Sequence, residues 1–156
     1  MTAKDVILEF DWTDGADLAV RAEHWADEHR PWIEEVKWGQ WEGLRRQGEG
    51  VRAWKDFERN LLRWISDDSK PLVDGQPPPR RAWDKAGLRD ALRTEIESAS
   101  RPSKSSKQLE DYMAKLKLDK QERTEIDQYL RVQRARRFLD LLLMKVRWEQ
   151  DRRRTS

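Results

Sequence analysis

The chain has 156 residues, 40% of them charged and 37% hydrophobic, so it is long enough to enclose a core yet must build it from few apolar side chains. Nine tryptophans argue against a disordered chain, and the absence of cysteine excludes a disulfide framework or a cysteine-ligated metal. No basic, apolar leader opens the sequence and no stretch approaches the roughly 18 apolar residues of a membrane span, so a soluble protein of a reducing, cytoplasmic compartment is expected.

A net charge of +2 hides an asymmetry. Residues 1–66 carry 10 Lys and Arg against 14 Asp and Glu, whereas residues 101–156 carry 16 against 9. The basic end points to an acidic partner.

Val6, Leu8, Phe10 and Trp12 alternate along residues 5–12, which predicts a short strand or extended arm with all four on one face. Leu18, Ala22, Trp25, His29, Trp32 and Val36 then recur at spacings of four and three, the stripe of one helical face. Pro31 should end one helix near Arg30 and start another, or kink a single rod. Gly39, Gly43, Gly48 and Gly50 are expected to loosen the chain before the next helix, whose apolar face is Val51, Trp54, Phe57, Leu61, Trp64 and Ile65.

Gly75 and the run Pro77, Pro78 and Pro79 make residues 71–81 an extended connector. A helix is predicted from about Trp83 to Ser98, followed by a flexible serine-rich linker to about Ser106 and a short helix carrying Leu109, Tyr112, Met113 and Leu116. Asp119 with Glu122 three residues later has the form of a capping box, which opens a last helix running to about Arg152.

Two apolar sectors mark that last helix. Val132, Ala135, Leu139, Leu142, Leu143 and Val146 share one, while Ile126, Leu130, Leu141, Met144 and Trp148 fall nearly opposite. Such a helix is either central within its own bundle or turned with one face toward a partner or a second copy.

The expected fold is therefore all-α: an irregular helical bundle with a long C-terminal helix and a short extended N-terminal arm or strand. Residues 1–70 form a Trp-rich helical region, 71–81 a Pro-rich connector and 82–156 a basic helical region.

Little in the sequence points to catalysis. His24 and His29, the only histidines, lie about 140° apart on a helix, and Glu34–Glu35 and Asp67–Asp68 are adjacent pairs whose side chains diverge. No phosphate loop, nucleophile elbow or dinucleotide fingerprint is present. A non-enzymatic protein with no cofactor and no metal is expected.

Trp25, Trp32, Trp54 and Trp64 sit at core positions of their helices, whereas Trp38 and Trp41, beside Gly39 and Gly43, are candidates for exposed anchors. With Arg45 and Arg46 they form one half of a candidate surface for nucleic acid or a partner. The other half is Arg131, Arg134, Arg137, Lys145 and Arg152 on the last helix, where Arg134, Lys145 and Arg152 can follow one edge and track phosphates. The leading expectation is an accessory protein that binds nucleic acid or a nucleoprotein complex. The alternatives are a protein–protein adaptor or inhibitor, and a subunit that self-associates through Leu141, Met144 and Trp148.

Overall fold

The computed structural model of the protein describes residues 15–66, 83, 87–101 and 107–155. The extended arm at residues 5–12, the connector at 71–81 and most of the serine linker lie outside them. Within the described residues the secondary structure is helical, as the periodicity predicts: α1 Gly15–Glu28, α2 Arg30–Ile33, α3 Trp38–Arg46, α4 Trp54–Ser66, α5 Leu88–Ser100, α6 Lys107–Lys115 and α7 Lys120–Thr155.

α7 begins at a reciprocal cap. The Glu122 backbone N–H donates to Asp119 Oδ1 at 2.7 Å, and the Asp119 N–H reaches Glu122 Oε1 at 3.4 Å. Two otherwise orphaned donors are satisfied, so the helix starts where the sequence placed it. From there it runs 36 residues, about 54 Å at 1.5 Å per residue.

Its Val132, Ala135, Phe138, Leu139, Leu142, Leu143 and Val146 are buried in one large core, to which α1, α3, α4 and α5 all contribute. Residues from both sides of the Pro-rich stretch thus share a single interior: Leu18, Trp25, Leu44 and Phe57 with Leu88, Leu92 and Ile96. A smaller cluster forms at the start of α7, where Leu109 and Met113 of α6 meet Ile126, with Leu130 at its edge.

The α1–α2 junction follows from Pro31. α1 ends at Glu28, the His29 N–H bonds the Trp25 carbonyl at 3.1 Å, and Pro31 falls in the first turn of α2, where its missing N–H costs no helical bond. His29 stacks on Trp25 with ring centroids 4.2 Å apart and donates from Nδ1 to the Trp25 carbonyl at 2.8 Å, which fits a packed histidine.

Residues 38–46 depart from expectation. The glycines that were expected to loosen the chain lie in or beside a regular helix, α3, and Gly43 is there because α4 comes close: a methyl group at Gly43 would overlap the Trp64 indole. Trp64 Nε1 completes the contact by donating to the Gln40 carbonyl at 3.0 Å. Gly48 admits the Phe57 ring in the same way, while Gly50, at φ 73°, provides the left-handed turn before α4.

α5 also differs in its bounds. It starts at Leu88, after Gly87 at φ 71°, and it continues through Ala99 and Ser100, which are buried instead of belonging to a loose linker. Trp83, before it, is fully buried edge-on against Trp41, with centroids 4.8 Å apart.

The close approach of α3 and α4 gives opposite expectations for two glycines in one helix. Gly43→Ala should destabilise the fold by about 1–3 kcal/mol through overpacking. Gly39→Ala, whose methyl group meets open space, should stabilise it by about 0.5–1 kcal/mol. Urea denaturation of the two variants measures both.

Candidate interaction surface

Three rows of contacts fix how α7 sits among its neighbours. On one flank, Asp17 of α1 receives Arg134 Nη2 at 3.1 Å, Asp27 lies 3.9 Å from Lys145 Nζ, and Arg30 of α2 reaches Glu149 at 3.5 Å. Both series ascend, so α1 runs parallel to α7. On the other flank Arg45 pairs with Asp140 at 2.8 Å and Arg147 stands 5.1 Å over the Trp38 ring, so α3 runs antiparallel. The third row binds the end of α5: Arg134 Nε donates to the Ala99 carbonyl at 3.1 Å and Arg131 Nη2 to Ser100 Oγ at 3.2 Å. Cations at a helix C-terminus are favoured by its partial negative charge.

These contacts redistribute the residues expected to bind nucleic acid. Trp41 is not an exposed anchor; it is fully buried, and its Nε1 donates to the Ile33 carbonyl at 3.3 Å. Trp38 is half-buried and donates to Glu42 Oε1 at 2.6 Å. Arg134 is buried between Asp17 and the α5 terminus, and Lys145 is largely covered between Asp27 and Glu149 at 3.5 Å, so the edge expected to track phosphates turns inward at two of its three positions.

Arg131 lies 4.1 Å over the Trp54 ring. Burial, with Arg101 adding to it, holds its pKa below the ordinary arginine value, and Glu97 and Glu58 oppose that shift. Arg45 and Arg46 are exposed but paired, with Asp140 and with Glu42 at 3.6 Å. Arg137 is exposed and makes no ion pair among the described residues.

Sequence reasoning missed Glu149. Its carboxylate is 1% exposed and lies 3.5 Å from each of Arg30, Lys145 and Arg152. A lone buried carboxylate is costly, and three surrounding cations compensate it. Lys145 and Arg152 in turn stand 4.8 and 5.0 Å over the Trp148 ring.

What remains uncovered is a strip of α7 between α1 and α3. On a 100° wheel, Leu141, Met144, Trp148 and Asp151 fall within about 40° of Arg137, while Arg134 and Lys145 lie about 60–80° to one side and Asp140 and Arg147 about 60–80° to the other. Met144 is 69% exposed and Trp148 53%; the third large exposed hydrophobic among the described residues, Val20, stands on α1. Leu141 is half-buried at the edge of the core. Ile126 and Leu130 share this apolar sector, but α6 covers them, so the open part begins where α6 ends.

No protein-family model, curated protein or solved structure matches this chain. What the surface does must therefore be read from its chemistry. Among the described residues no cluster of three or more His, Asp or Glu is placed to hold a metal ion, and no helix is long and apolar enough to cross a membrane.

The inward and outward arginines of α7 should behave differently. Arg134→Ala removes a buried cation that holds Asp17 and the Ala99 carbonyl, and, because the Asp17 left behind is partly open to water, should destabilise the fold by about 1–2 kcal/mol. Arg137→Ala should change stability by less than about 0.5 kcal/mol. Thermal and urea unfolding of dilute protein tests the pair.

Proposed function

We propose that this chain is a non-enzymatic helical binding protein whose docking surface is the uncovered strip of α7, Leu141, Met144 and Trp148, and whose ligand is an apolar helical segment of a protein. The exposure of Met144 and Trp148 on one side of a helix otherwise held in the core carries this reading. The strip residues Arg137, Leu141, Met144, Trp148 and Asp151 recur at spacings of four, three, four and three, which is the seam a second helix fits.

Nucleic acid has weaker support. Arg134 and Lys145 are engaged with Asp17, Asp27 and Glu149, and the Trp148 ring already has two cations over it, so a base could stack there only by displacing them.

A photoreactive amino acid in place of Met144, introduced in the native host, tests this. The expected result is a discrete protein adduct that resists nuclease and disappears when Trp148→Glu is added, in a chain that keeps its helicity. An adduct lost on nuclease treatment would favour the nucleic-acid reading, and no adduct at all would overturn docking at this strip.

A further inference from the structure

The strip has a symmetry in its sequence that names its occupant. If residue n of one α7 faces residue 288 minus n of another, Met144 faces itself, Leu141 meets Trp148 within one residue of register, and Arg137 faces Asp151. On the flank occupied by α3, Asp140 comes within one residue of Arg147 in the same register. Every strip or flank charge on that side then lies opposite its complement, twice over, because a two-fold axis repeats each pair.

A parallel arrangement has the opposite outcome. It sets Arg137 against Arg137 and Asp151 against Asp151 on the seam itself, and like charges facing one another are unfavourable. The same strip is thus self-complementary in one direction only.

We infer, resting on the docking role of this strip, that its partner is a second copy of this chain, bound through an antiparallel α7–α7 contact with Met144 on the two-fold axis. The contact removes Met144 and Trp148 from water, and it gives Arg137 the carboxylate partner it lacks among the described residues. Asp151 and Asp140 are each half-exposed even with their intrachain partners Arg147 and Arg45, so both can share a second cation across the interface.

The chain contains no cysteine, so introduced ones report register without background. With a short bis-maleimide, Met144→Cys should link to itself. Arg137→Cys should not, since the two copies of that position are 14 residues apart along the contact, about 21 Å. A mixture of Arg137→Cys and Asp151→Cys proteins should give the mixed species. Sedimentation equilibrium of the full chain should show a reversible dimer whose dissociation constant rises about ten-fold with Arg137→Asp, as expected for losing two rim ion pairs, and returns to within about three-fold when Asp151→Arg is added. Circular dichroism confirms that each variant stays helical. A monomer at all concentrations, or self-linking at position 137, overturns the inference. If the monomer nonetheless forms an adduct with a different protein from position 144, docking at the strip stands and only the identity of the partner falls.

Discussion

The fold depends on one side of α7, from Val132 to Val146, being buried under several helices at once. Val132, Phe138, Leu142 and Val146 make one broad apolar stripe, and the core that receives it is built by α1, α3, α4 and α5 together. Each surrounding helix is short and meets α7 over only part of its length.

Charge completes what this core begins. With 40% of its residues charged, the chain cannot keep every ion in open water once the helices close. Arg134 and Glu149 are drawn inside, and each is met by groups from a different element: Asp17 and the Ala99 carbonyl for the one, Arg30 for the other, with Lys145 and Arg152 of α7 itself beside Glu149. Partly buried ion pairs contribute modestly to net stability because desolvation opposes their attraction, but a mispaired one is costly. The consequence is positional: α1, α2 and α5 are each tied to a particular height along α7.

Much of this was legible from spacing alone. The stripe that starts at Leu18, up to the end of α2 at Ile33, those from Trp54 to Ile65 and from Val132 to Val146, and the Asp119–Glu122 cap, correspond to helices and a cap in the structure because they depend only on neighbours within a few turns, whereas Val36, the last position of the first stripe, is buried beyond the end of α2. α3 was missed because Gly39 and Gly43 weaken a helix in isolation; the reason for Gly43 is Trp64, 21 residues further on. The fate of Trp41 was hidden likewise, since its partner Trp83 comes from beyond the connector. Leu141, Met144 and Trp148 were recognisable as a second apolar face, and α6 covers only the Ile126 and Leu130 part of it. Arg134 and Lys145 looked like surface charges because their partners, Asp17 and Asp27, lie more than a hundred residues away in sequence.

That separation bears on how the molecule is made. The Arg134–Asp17 contact joins residues 117 apart, and α1 packs along α7 more extensively than along any other helix. During synthesis at about 5–20 residues per second, α1 emerges roughly 6–24 s before the stretch of α7 that covers it. For that interval Leu18, Trp25 and Ile33 lack the α7 side of their core, and apolar surface of α1 stays open to solvent. Long-range closure of this kind also slows folding relative to bundles whose neighbours in space are neighbours in sequence.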